Sequence, residues 1–227
     1  MRAVLFDLDG TLLDVDTGAF MRRYFEALRS FPVTGWDGDL LEAITTATES
    51  MMGQHPGVTN ADVFWADFSQ ITGHGREEWE PVFDVFYRDW FPGLRESAGP
   101  APGALRAMAT VRSRGLKVAV ATNPMFPRGA IDQRLSWAGF GDLDDSVLVT
   151  SYETSTACKP WPEYFAEVAR RLEIAPSDCL MVGDDPAMDL GCRDIGMKSW
   201  LLEEPPAGWS TDYAGTLDQL ADLIDRL

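Results

Sequence analysis

Two aspartates, Asp7 and Asp9, follow a short apolar run, Ala3 to Phe6, that begins almost at the first residue. Alternate residues of a strand point the same way. Asp7 and Asp9 can therefore face one small space, with Gly10 letting the chain turn away. Carboxylates held that close repel each other unless a proton or a metal ion sits between them. The pair thus predicts a metal-assisted acid site. Three more polar clusters stand in the same relation to apolar runs: Thr122 with Asn123, Lys159 with Pro160, and Gly183-Asp184-Asp185 through Asp189. Together they supply a carboxylate nucleophile, a second carboxylate, a hydroxyl, an ammonium and a metal-binding acid. That is the equipment of phosphoryl transfer.

Something must bring these clusters together. Ala3–Phe6, Leu116–Ala121, Val147–Val149, Leu180–Val182 and the weaker Trp200–Leu202 are continuous apolar runs, which read as strands buried on both faces of a parallel sheet. Helical spacing lies between them in Leu105, Met108 and Val111, in Trp161, Phe165, Val168 and Leu172, and in Leu217, Leu220, Leu223 and Leu227. Gly115 is placed to end the first of these helices. The alternation predicts an α/β fold, a doubly wound parallel sheet whose ligands gather at the C-terminal strand ends.

Residues 17–92 break the alternation. Phe20, Tyr24, Leu28 and Phe31 have helical spacing, as do Trp79, Phe83, Phe86 and Trp90, and nothing between them reads as a strand. This predicts an all-helical insert, 17–92, within a core made of 1–16 and 93–227. The Gly/Pro-rich stretch 93–103 is the expected linker.

At 227 residues, with 45% hydrophobic and 24% charged residues, the chain has the balance of a globular protein. A net charge of −17 argues against a nucleic-acid surface and against an anionic membrane. It leaves room for a small anionic substrate, because a bound cation and one lysine can invert the local field. Cys158, Cys179 and Cys192 form no disulfide framework. Without an apolar leader or a membrane-length run, the expectation is a soluble cytoplasmic protein. Oligomeric state is not legible. His55 and His74 lie far apart in the insert and are expected to be non-catalytic, and Cys158 is expected to pack rather than react.

Asp7-Leu8-Asp9-Gly10-Thr11-Leu12 resembles the D-x-D-G-T-L motif of the haloacid dehalogenase (HAD) superfamily. Thr122 matches that family's second-motif Ser/Thr, Lys159-Pro160 its lysine, and Gly183-Asp184 with Asp189 its G-D-x-x-x-x-D pattern. Four motifs in order, each after an expected strand, are far more specific than D-x-D alone. The resemblance spans the chain, and the helical insert takes the place of a cap between the first and second motifs. Departures are mild: Thr156-Ala157-Cys158 stands where a glycine-containing turn is common, and Cys192 and Ile195 replace frequent alanines.

The resemblance implies a Rossmann-like core and hydrolysis of a small phosphorylated metabolite by a Mg²⁺-dependent phosphatase. Asp7 is implied as nucleophile, giving an aspartyl-phosphate, and Asp9 as the acid and base for leaving group and water. Mg²⁺ would take Asp7, Asp184 and the backbone carbonyl of Asp9. Asp189 and Asp185 would hold metal waters or Lys159. Thr122, Asn123 and Lys159 would hold the phosphoryl group. Dehalogenase members lack the second aspartate, so Asp9 favours a phosphate ester. A phosphomutase of the same fold and a non-catalytic binding protein are the alternatives.

Overall fold

The computed structural model describes residues 1–95 and 98–226. In chain order its elements are β1 (Ala3–Phe6), β2 (Leu13–Asp14), α1 (Thr17–Ser30), α2 (Leu40–Met51), α3 (Asn60–Thr72), α4 (Arg76–Val85), β3 (Gly99–Pro100), α5 (Ala104–Ser113), β4 (Lys117–Val120), α6 (Arg128–Trp137), β5 (Val147–Val149), α7 (Pro162–Arg171), β6 (Cys179–Gly183), α8 (Pro186–Asp189), β7 (Lys198–Leu201), β8 (Tyr213–Ala214) and α9 (Leu217–Asp225). Six strands form one parallel sheet in the order β5-β4-β1-β6-β7-β8. β1 lies in its middle, between β4 and β6, so Asp7 leaves the sheet at its centre.

The strands read as unbroken apolar runs because each face is covered. Val4 and Phe6, Val118 and Val120, and Leu180 and Val182 pack with residues of α5, α6 and α9. Their neighbours Ala3, Leu5, Ala119, Ala121, Cys179 and Met181 pack with Tyr164, Phe165, Val168 and Ala169 of α7. The strand period of two thus divides one run between two helical layers.

Three helical stripes need adjustment. Leu105 is exposed, and α5 instead buries Ala104, Ala107, Met108 and Val111. Trp161 is exposed ahead of α7, whose first residue is Pro162. In α9 Leu223 is only partly buried while Ala221 and Ile224 take the core, and Leu227 lies outside the described residues. Small alanines complete these faces, and hydrophobic spacing drawn from large residues alone misplaces the phase. The described part of 93–103 contains β3, paired antiparallel with β2; Glu96 and Ser97 lie outside the described residues. Neither β3 nor the two-residue β8 was expected.

Between β2 and β3 the described residues form helices α1 to α4, followed by a π-helical turn at Phe86–Trp90 and a 3₁₀ turn at Phe91–Arg95. Asp16, Asp39 and Thr59 accept from Ala19, Glu42 and Asp62 N–H at 2.8, 3.0 and 3.1 Å and start α1, α2 and α3. Aromatic edge-to-face contacts fill the interior, such as Phe68 with Trp79 at 5.1 Å and Phe31 with Phe86 at 5.3 Å. Asn60, fully buried, ties this helical stretch to the core loops: its Nδ2 donates to Pro124 O at 3.2 Å.

Candidate active site

The strand ends deliver their polar residues to one cleft of about 520 Å³. Asp7, Asp9, Thr122, Asn123, Lys159, Asp184, Asp185 and Asp189, the whole set expected from sequence, line it together with Arg134. Asp7 continues β1, its N–H donating to Val182 O at 2.8 Å. Gly10 then turns with φ +82°, and a side chain there would bring its Cβ to 2.2 Å from Asp184 Oδ2. The missing side chain therefore seats the Asp184 carboxylate against the backbone just after Asp9. Gly183 works similarly, since a Cβ there would meet Asp189 Oδ2 at 1.9 Å.

Lys159 is buried and its ammonium is shared, with Nζ donating to Asp7 Oδ1 at 2.7 Å and to Asp189 Oδ1 at 2.6 Å. Burial opposes its charge, but Asp189 and Asp7 outweigh that and hold the ammonium protonated. One positive charge then faces two carboxylates. Burial, with Asp189 adding to it, lifts the Asp7 carboxyl to about 8 even though Lys159 pulls the other way. Asp184 rises to about 6, mainly through burial and then through Asp189. Burial and the neighbouring carboxylate disfavour negative charge on both acids, which a bound cation would relieve.

The donors fit such a cation. Asp184 is oriented by the Thr11 hydroxyl, which donates to its Oδ1 at 3.0 Å. No group of three or more His, Cys, Asp or Glu among the described residues is arranged to enclose a metal. The carboxylates of Asp7 and Asp184 in one cleft suit a hard ion that keeps much of its water, which is magnesium's habit.

Asn123 holds the lysine loop, its Oδ1 accepting from Lys159 N–H at 3.1 Å. Asp189 also accepts from Asp185 N–H at 3.2 Å, while the Asp185 carboxylate caps α8 through Ala187 N–H at 2.8 Å. The Thr122 carbonyl accepts from the hydroxyls of Thr150 and Tyr164, each at 2.8 Å. His55 bonds Ser50 O and His74 bonds Glu78, and neither lines the cleft. Cys158 is a packed thiol, pushed up to about 12 by burial.

One cleft residue went unread in the sequence. Arg134, on α6, is 1% exposed and its guanidinium binds Asp9 Oδ2. It lies over the Phe126 ring, 4.5 Å from the centroid. Its Nε and second amino group and Asp9 Oδ1 are buried with no hydrogen-bond partner among the described residues. The signal was present: Arg134 stands three residues after Ile131 and four after Ala130, on the buried stripe of an amphipathic helix.

The family model for haloacid dehalogenase-like hydrolases matches residues 1–191. The chain is 29% identical over its full length to the phosphoglycolate phosphatase of Rhodospirillum rubrum, covering 90% of that protein. It is 30% identical over 86% of its length to the bifunctional riboflavin kinase/FMN phosphatase of Arabidopsis thaliana, but spans only 46% of that protein. In structure it is similar to a subfamily IA HAD-superfamily hydrolase of Geobacter sulfurreducens, with TM-score 0.60, 19% identity and 100% of each chain covered. The chain belongs to the haloacid dehalogenase-like hydrolases and is an enzyme of that family.

Proposed function

We propose that the chain is a Mg²⁺-dependent phosphatase that hydrolyses small phosphorylated metabolites through an aspartyl-phosphate on Asp7. The observation that carries this reading is the buried Lys159 ammonium between Asp7 and Asp189. It fixes the Asp7 carboxyl at the strand end and provides positive charge where a phosphoryl group would arrive. The relatives named as phosphatases support the reading.

In this mechanism an Asp7 oxygen attacks phosphorus in line and the leaving oxygen departs with a proton from Asp9. Asp9 then takes a proton from the water that attacks the acyl phosphate, which restores Asp7 and frees inorganic phosphate. Arg134 fixes the side chain of Asp9 between these steps. Lys159 and Thr122 hold the phosphoryl oxygens, while Asn123 holds the Lys159 backbone. Asp189 positions Lys159, and Asp185 stiffens the turn that carries Asp184. Asp7, Asp184 and the Asp9 carbonyl would hold Mg²⁺, which when bound offsets the negative charge shared by Asp7 and the phosphate.

Residues 17–92 act as a cap over this cleft, within a core of 1–16 and 93–227. The buried, unbridged cysteines suit a reducing, cytoplasmic setting, and no helix among the described residues is long and apolar enough to cross a membrane. The test is release of inorganic phosphate from a generic aryl phosphate with Mg²⁺, by the native protein and by Asp7→Asn. Native turnover lost in the variant supports the reading; Mg²⁺ binding with no turnover of any ester defeats it.

A further inference from the structure

A second cavity, of about 530 Å³, adjoins the catalytic cleft and shares Met21, Met125 and Phe126 with it. It is lined by α1 to α4 on one side and by the loops after β4 and β5 on the other. The shared wall sets this chamber beside the cleft, as space for the leaving group of an ester whose phosphorus sits at Asp7.

Aromatic rings are the largest group in the chamber wall, among them Tyr24, Phe64, Trp65, Phe83, Tyr87 and Phe126. Ring faces reward flat apolar surface and offer little to a polyhydroxylated body. The hydroxyls present are largely engaged. Tyr24 and Tyr87 oxygens bond each other at 3.2 Å, and Thr45 donates into its own helix, to Leu41 O at 2.6 Å.

Charge selects further. Four acids, Glu49, Glu80, Asp84 and Glu153, line the chamber against one cation, Arg76. That cation is already matched: Arg76 Nε donates to Glu80 Oε1 at 2.6 Å, and its NH1 lies 3.8 Å from Asp62. Its guanidinium carbon also sits 5.5 Å from the centre of the Trp65 ring. A second phosphate or a carboxylate on the leaving group would meet a surplus of negative charge here.

We propose that this chamber takes the leaving group of a phosphate monoester with an aromatic body and no second anionic group, neutral or cationic at neutral pH. The proposal rests on the phosphatase reading of the adjoining cleft and assigns its substrate class. It sets this chain apart from a phosphatase for phosphoglycolate or a sugar bisphosphate.

The test uses the full chain with Mg²⁺ and four esters. Tyramine O-phosphate and the O-phosphate of 4-hydroxyphenylacetate share a ring and differ in charge. O-phosphoethanolamine keeps the cation without the ring, and phosphoglycolate is a small anion. The tyramine ester is expected to exceed each of the others in kcat/KM by about tenfold or more. In the Glu80→Gln/Asp84→Asn protein the gap between the two aryl esters is expected to narrow. Equal or better turnover of the carboxylate ester overturns the charge argument, and equal turnover of O-phosphoethanolamine overturns the aromatic one.

Calorimetric binding of the same esters to Asp7→Asn keeps the two readings apart. If the native protein hydrolyses nothing and Asp7→Asn still prefers the tyramine ester, the phosphatase reading fails and the chamber assignment stands. If Asp7→Asn binds the aryl pair equally, the chamber assignment fails whatever the native protein hydrolyses.

Discussion

The floor of the cleft and the chamber above it are built on opposite terms. On the floor, charged side chains are held by particular partners: Lys159 by Asp7 and Asp189, Asp9 by Arg134, Asp184 by Thr11. Asp7 and Asp184 directly follow the central strands β1 and β6, so the sheet register dictates where they stand. The chamber is made largely of helix faces, where Phe64, Trp65 and Phe83 touch other rings. A floor of paired charges has one productive arrangement. A wall of rings accepts many shapes and selects by size and charge. On the proposed reading, reaction and selection are therefore expected to be separable in this molecule, each open to change without rebuilding the other.

Asp7→Asn gives the sharpest test of that separation. It is expected to lower phosphate release by about 10⁴-fold or more for every ester alike, and steady-state assays that find some esters spared would break the division. Lys159→Met should reduce kcat/KM by about 10²–10³-fold. Without metal it should also cost about 3–5 kcal/mol of stability in urea titrations, because Asp7 and Asp189 lose their shared partner. Arg134→Met is expected to lower kcat by about 10²-fold with little change in KM; an unchanged kcat would remove Arg134 from the account. In the chamber, Glu80→Gln should shift the preference between charged and neutral aryl esters by less than about tenfold, read as a ratio of kcat/KM values.

The smallest effect expected is thermal. Asp7 and Asp184 bind protons more tightly folded than unfolded, their carboxyls being raised to about 8 and about 6. Their contribution to stability is whole below the ordinary carboxylate range and is lost as pH rises through those values. Mg²⁺ should accordingly raise Tm more at about pH 9 than at about pH 5. The reverse order in differential scanning calorimetry would show that the cation does not bind through these two acids.

Much of the floor was legible because strand ends leave their signature in a few consecutive residues. The run Ala3–Phe6 has the bounds expected, and Asp7 and Asp9 follow it at once. The polar residues expected from sequence meet in one cleft. The chamber was not legible, since helix faces reveal that something is buried but not which helices face one another. Leu105 shows the difficulty: it keeps the right spacing on the wrong side of α5, while Ala104 and Ala107 do the packing. Arg134 was hidden for another reason. A charged residue is ordinarily assigned to solvent, and only its partner Asp9, 125 positions away, explains its burial. Two-residue strands such as β8 carry too few side chains to show any period at all.

The carbonyl of Thr122 has a further consequence. Two buried hydroxyls, from Thr150 and Tyr164, pull it toward the β5 side of β4. A trans peptide is planar, with its carbonyl and amide pointing in opposite directions. The N–H that Asn123 shares with that plane is thereby aimed the other way, toward β1 and the end that carries Asp7. Tyr164 thus acts as a tiller: from beneath the sheet, without lining the cleft, it steers a backbone donor. Shortening it to phenylalanine would loosen the aim of that donor while leaving every charge in the cleft where it stands.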